Sequence, residues 1–228
     1  MRIGGFQKIS LIDFPGKIAS VIFTQGCNFR CPFCHNPHLI DREKKGVIDL
    51  DDILEYLIRR KKMIDGVVVS GGEPLIQEDI ADAIEKIKNQ DLFIKLDTNG
   101  SNPERLNFLL SHKLIDYVAM DIKSELSDYA IYSASKDYTS EIKMSIELIM
   151  SSGISYEFRT TIVPGLHNKK KIVNICRLIE GAETYVLQNL SGFGTLDPSL
   201  SQRRPFTPEK VEEYINAASP LVKKCIGR

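Results

Sequence analysis

The sequence predicts a parallel α/β fold of six strand–helix units, and three observations carry that prediction. Short β-rich runs alternate with longer helical patterns along the 228 residues. Several of the β-rich runs are near-continuously apolar, as Val67 to Val69 is, which suits strands of a parallel sheet covered by helices. The composition is that of an ordinary globular chain, 43% apolar and 26% charged, which excludes collagen-like, disordered and mucin-like classes and allows a sizeable core. Six units with right-handed crossovers are two short of a full (βα)8 barrel. Without an internal repeat, a Pro/Gly/Ser-rich linker or a low-complexity stretch, the simplest organisation is one domain over residues 1–228.

Taken in order, the expected strands are 18–24, 66–70, 92–97, 117–121, 155–162 and 184–188. The helices between them carry their own punctuation. The helix over 49–63 opens on acidic residues and ends on Arg59, Arg60, Lys61 and Lys62, in keeping with the helix dipole. The helix over 78–89 puts Ile80, Ala83, Ile84 and Ile87 on one face. Asn102-Pro103 reads as an N-cap followed by proline at the first helical position. Helices over 141–152 and 170–180 stop at Gly153 and Gly181. Thr207-Pro208 opens a last helix that runs to about residue 218.

Charge and cysteine usage narrow the function. Thirty Lys+Arg balance thirty Asp+Glu, so no global positive field calls for nucleic acid. No apolar run approaches the roughly 18 residues of a membrane span. The start, MRIGGFQKIS, lacks a secretory pattern, so a cytoplasmic location is expected. There are five cysteines, and three fall within the run from Cys27 to Cys34. A disulfide framework spreads cysteines in pairs, whereas this crowding favours metal binding or catalysis.

The segment GCNFRCPFCHNP, residues 26–37, gives Cys27, Cys31 and Cys34 the spacing C-x3-C-x2-C directly after the first expected strand. Three thiolates on one short loop can converge on a single metal centre. That is one short of the four ligands of a [4Fe–4S] cluster, which would leave one iron free for a small molecule. Zinc held by the three cysteines plus His35 or His38 is the alternative. Cys176 and Cys225 read as plain core or surface residues.

The C-x3-C-x2-C motif after a first strand, with aromatic Phe33 just before the last cysteine, resembles the radical S-adenosylmethionine (SAM) superfamily. The resemblance extends over nearly the whole chain. It implies a partial (βα)6 barrel, a cluster held by Cys27, Cys31 and Cys34, and SAM chelating the open iron. Phe33 matches the position beside the adenine. Ser70-Gly71-Gly72-Glu73-Pro74 resembles the GGEP motif that holds the SAM amino group; glycines let backbone approach a ligand closely, and Glu73 can fix the loop or add negative charge. Asp97-Thr98-Asn99-Gly100 and Asp121-Ile122-Lys123 resemble segments of glycyl-radical-enzyme activases. There the two aspartates and the threonine hold a monovalent cation beside the SAM carboxylate, which the lysine approaches. By charge alone Asp97 and Asp121 repel each other, and a cation or Lys123 between them relieves this. Caps and solvated turn residues are the plain alternative for these segments. Arg159 lies in a strand whose Glu157, Arg159 and Thr161 make one face polar; if that face lines the barrel, Arg159 needs a carboxylate or a ligand, and an outward structural Arg is the alternative. Gln188, Asn189 and His167 match no firm motif.

Cys34-His35-Asn36-Pro37 and the upstream Ser10-Leu11-Ile12-Asp13-Phe14-Pro15-Gly16 also resemble the activase group. That implies one-electron cleavage of SAM and abstraction of a Cα hydrogen from one glycine of a partner enzyme, with a flavodoxin- or ferredoxin-type electron donor. The short form is most like the activating type of anaerobic ribonucleoside-triphosphate reductase, with the pyruvate formate-lyase type close behind. A radical SAM enzyme acting on a small molecule is the further alternative. No cysteine lies between Ile40 and Asp49, so one cluster is expected.

Overall fold

The computed structural model describes residues 1–44, 48–134, 136–191 and 194–228. Contacts divide the chain into two compact units. The first comprises Met1–Asn28, His38–Thr98 and Asn102–Val118; the second comprises Phe29–Pro37, Asn99–Ser101 and Ala119–Arg228.

In the first unit, β1 (Ile3–Ser10) runs antiparallel to β2 (Ala19–Thr24). Helix α1 (Leu50–Arg60) leads to β3 (Gly66–Gly71), which pairs parallel with β2 from Ala19↔Gly66 to Thr24↔Gly71. Helix α2 (Ile80–Lys88) leads to β4 (Phe93–Thr98), parallel to β3, and α3 (Pro103–Ser111) follows. Strand β5 (Tyr117–Asp121) begins in the first unit and ends in the second. The second unit continues with α4 (Tyr129–Tyr132), α5 (Thr139–Ser151), β6 (Ser155–Ile162), α6 (Lys169–Leu178), β7 (Tyr185–Asn189), α7 (Pro208–Ala218) and β8 (Cys225–Gly227). Strands β6, β7 and β8 pair parallel in that order.

All six expected strands form, and two more were not foreseen. β1 escapes a sequence reading because Gly4 and Gly5 weaken the strand pattern and its burial does not alternate cleanly. Its antiparallel pairing also means that the sheet is not purely parallel. β8 has only three residues, too few for a period to show.

The helix ends follow their punctuation. The Asp49 carboxylate accepts from the Asp51 amide at 3.0 Å, and the Asn102 side chain accepts from the Arg105 amide at 3.0 Å ahead of Pro103. Gly153 and Gly181 take φ of 75° and 81°, the left-handed turn that ends α5 and follows α6. The segment before β2 is folded by Ser10, whose hydroxyl accepts from the Ile12 and Asp13 amides. This tucks Phe14 against Ala19, Val21 and Val68. Burying a ring of that size contributes roughly 2–3 kcal/mol.

Candidate functional site

In the first unit, the base of the cysteine loop is clamped. The Gly26 amide donates to Leu39 O at 2.7 Å and the Cys27 amide to Ile40 O at 3.1 Å. The same point is tied to the turn after β3, because the Gly72 amide donates to Thr24 O and the Glu73 amide to Gly26 O, both at 2.9 Å. A Cβ on Gly71, which has φ of 114°, would lie 2.2 Å from Thr24 N, and one on Gly72 would lie 2.0 Å from Gly26 O. The sequence reading gave these glycines to a ligand. The structure adds a second close approach that needs them, to the backbone of Thr24 and Gly26.

Glu73 is 1% exposed. Its Oε1 accepts from the Leu75 amide at 3.1 Å and from the Thr98 hydroxyl at 2.7 Å. Of its two expected roles, fixing the loop is the one its bonds show. Asp97, at the end of β4, accepts from the Ser70 hydroxyl at 3.1 Å and is ion-paired to Lys95. Lys95 is 1% exposed, and its ammonium lies 5.9 Å from the centre of the Tyr117 ring. Sequence reading missed this lysine, although a lysine between Ile94 and Leu96 in a buried strand, two residues before an aspartate, was a legible signal.

In the second unit, the far part of the loop is held by the chain that follows β7. The Asp197 amide donates to Pro32 O at 2.8 Å and the Leu196 amide to Cys34 O at 3.1 Å. The Arg30 amide donates to Tyr132 O at 2.7 Å, and the Cys34 amide turns back to Cys31 O at 3.0 Å. An aromatic bed supports the loop. Phe29 packs on Tyr129 and Tyr138, and Phe33 packs on Tyr132 and, edge-on, on His167. Sequence reading missed Tyr129 and Tyr132, because α4 is a single short turn.

Phe33 is buried, with the Lys123 ammonium 6.0 Å from its ring centre. Lys123 Nζ donates to Asp121 at 2.8 Å, and Arg159 Nε donates to the other oxygen of the same carboxylate at 2.8 Å. Arg159 also lies 4.0 Å from buried Glu157, so it has the carboxylate partners its strand position demands. Burial opposes the charge on Asp121, but Arg159 and then Lys123 outweigh it and hold the carboxyl well below the usual range. Burial likewise opposes Lys123, whose pKa Asp121 and Cys31 nevertheless keep high. Burial pushes the Cys31 thiol up to about 11, with Lys123 pulling against the rise and Cys34 and Asp121 adding to it.

The structure gives the remaining candidates the following partners. Asn99 Oδ1 accepts from the Ser101 amide at 2.9 Å. His167 Nδ1 accepts from the Val163 amide at 3.1 Å, and its Nε2 bonds Lys123 O at 2.9 Å. Asn189 clamps Phe206 through both backbone groups of that residue.

Cys27 thus belongs to the first unit, and Cys31 and Cys34 to the second, on one continuous loop. Among the described residues, no three of His, Cys, Asp and Glu form a group ready to hold a metal ion. The donor chemistry nevertheless fits an iron–sulfur cluster: three thiols within eight residues, on a loop whose base and far part are both fixed.

The description "Radical SAM superfamily" matches residues 21–179. A Methanocaldococcus jannaschii protein named for glycyl-radical enzyme activation is 31% identical, over 98% of this chain and 92% of its own. The pyruvate formate-lyase-activating enzyme of Clostridium pasteurianum is 32% identical over 80% of this chain and 79% of its own. Among solved structures, QueE from Escherichia coli covers 99% of this chain and 92% of its own, with a TM-score of 0.55 at 15% identity. The chain belongs to the Radical SAM superfamily and, within it, to the glycyl-radical enzyme activating enzymes. Membership implies a [4Fe–4S] cluster and SAM, and the zinc alternative falls away. Among the described residues, no helix is long and apolar enough to cross a membrane.

Proposed function

We propose that this chain holds one [4Fe–4S] cluster through Cys27, Cys31 and Cys34, binds SAM, and generates a glycyl radical on a partner enzyme. When bound, the cluster and SAM supply a hydrogen-abstracting radical, chemistry that belongs to the cofactors. The observation that carries the reading is the thiol loop, whose base is bonded to the Gly72-Glu73 turn. That bond sets Cys27 close to backbone groups suited to the SAM ammonium.

The protein's own residues bind and orient. Phe33 offers a rigid apolar wall to the adenine at low entropic cost. The Gly71-Gly72-Glu73 turn offers backbone groups to the ammonium. Lys123 and Arg159 offer positive charge to a carboxylate, held in place by Asp121. Asp97, Thr98 and Asn99, at and just after the end of β4, are further candidates to bind SAM or a cation. A flavodoxin- or ferredoxin-type protein supplies the electron.

The anaerobic ribonucleoside-triphosphate reductase is the proposed partner, on the form of the motifs. The 32% identity to a pyruvate formate-lyase-activating enzyme favours a formate-lyase partner as the second reading. The test is anaerobic reconstitution with iron and sulfide, followed by SAM, a reductant and each candidate partner. We expect a brown protein, 5′-deoxyadenosine, and a glycyl doublet in electron paramagnetic resonance with one partner. Deoxyadenosine without a doublet on either partner would turn the assignment to a small-molecule substrate. A Cys31→Ala variant should lose both the colour and the cleavage.

A further inference from the structure

We propose that Lys95 supplies, from within the chain, the positive charge that the activase resemblance assigns to a monovalent cation, so that SAM binding here needs no such ion. The inference rests on the SAM-binding reading above.

The residues that would hold the cation do not fit one. Asp97 is already paired with the Lys95 ammonium, on the same face of β4 two residues earlier, and accepts from the Ser70 hydroxyl. The Thr98 hydroxyl donates to Glu73. Asp121 already bonds two cationic side chains, Lys123 and Arg159. A further cation placed about 4 Å from either of those would meet a repulsion of roughly 4 kcal/mol at an effective dielectric constant of 20.

Lys95 is built in rather than incidental. It is 1% exposed, Tyr117 presents a ring near its ammonium, and the ammonium is ion-paired to Asp97. A lysine with no functional demand rarely sits fully buried in a strand, because ordering and desolvating it are costly. A buried ammonium fixed to the Asp97 carboxylate performs the cation's electrostatic task without a binding equilibrium. Lys95 is therefore a positioning residue: it neutralises Asp97 and fixes the end of β4.

The test uses the reconstituted full chain, with SAM as the probe. Potassium is varied up to about 200 mM against tetramethylammonium, so that screening stays constant. SAM affinity is read by equilibrium dialysis, and bound cation by the sodium NMR line width of the protein before SAM is added. For the wild type we expect SAM affinity to change by less than about twofold across the series and the sodium line to stay narrow. Lys95→Met should weaken SAM binding about tenfold without potassium, recover it with potassium, and broaden the sodium line. Lys95→Arg should behave as the wild type. A wild type whose SAM affinity rises about tenfold with potassium would overturn the proposal. So would a folded, iron-loaded Lys95→Met that binds SAM equally well with and without the ion. If Lys95→Met does not fold, the wild-type series and Lys95→Arg still decide. If the wild type binds no SAM at all, the functional reading fails, while the sodium line width still reports on Asp97.

Discussion

Asp121 is a carboxylate bonded by two cationic side chains at once. Its carboxylate is shared by Arg159 and Lys123, and its pKa is held well down by them against the opposing effect of burial. A carboxyl whose folded pKa is depressed contributes stability that is complete above its unfolded value, near about 3.9, and that is lost as pH falls toward the folded value. Asp121→Asn should therefore lower stability at neutral pH. Removing one partner of a fully buried pair costs about 3–5 kcal/mol; because Asp121 keeps some exposure, we expect about 2 kcal/mol. Urea unfolding of the metal-free chain should show that gap at pH 7 and its closing below about pH 4. A gap that stays constant with pH would mean that packing, not charge, sets the cost. His167 works in the same direction, at a higher pH. Burial first, with Lys171 adding to it, lowers its pKa. Its neutral ring accepts from Val163 through Nδ1, and its Nε2 hydrogen points to Lys123 O. The unfolded chain then takes up a proton near about pH 6.5 before the native one does, so stability is full above that pH and falls below it. His167→Gln should flatten that part of the stability–pH curve. An unchanged slope between about pH 5 and 6.5, measured by the same unfolding, would refute the role.

At the scale of elements, the turn after β3 separates two uses of glycine. Gly153 at the end of α5 has φ of 75° and nothing within 4 Å of a built Cβ. Gly153→Ala should cost only the left-handed penalty of about 1–2 kcal/mol. Gly72→Ala would drive a methyl to 2.0 Å from Gly26 O, which is backbone and cannot step aside cheaply. It should cost more than about 4 kcal/mol and loosen the loop that carries Cys27. Thermal unfolding of the two variants side by side checks the contrast, and equal losses would sink it. The element scale also shows what a reader of the bare sequence can recover. The cysteine spacing, the apolar strands and the helix cap at Asn102 are local chemistry, and local chemistry is legible. The structural demand on Gly72 is not, because it arises from Gly26, far away in sequence. The aromatic bed of Tyr129 and Tyr132 is hidden for the same reason, as is the clamp of Asn189 on Phe206. Lys95 was legible in principle, since a lysine inside a buried strand breaks the pattern.

At the scale of the whole molecule, charge balance becomes a property in its own right. Thirty cationic and thirty anionic side chains give a formal net charge of zero at pH 7. A protein without net charge lacks the repulsion between copies that keeps a solution stable. The surface adds apolar contacts, since Leu11 and Ile12 are 72% and 83% exposed in the segment between β1 and β2. Attraction between mixed charge patches and this apolar turn should therefore limit solubility most at low ionic strength. Raising salt to about 150 mM shortens the screening length to roughly 8 Å and should increase the solubility limit. The exposed lysines at the two basic runs offer a direct test. Lys62 follows α1 and Lys170 lies in the first turn of α6, and both are exposed. Changing both to Glu moves the net charge to about −4, within the range that favours solubility in a small domain. The double variant should remain in solution at low salt where the wild type precipitates, with the iron loading unchanged. Replacing Leu11 and Ile12 with Ser separates the two causes. If the charge variant gains nothing and the serine variant gains everything, the apolar turn alone governs association.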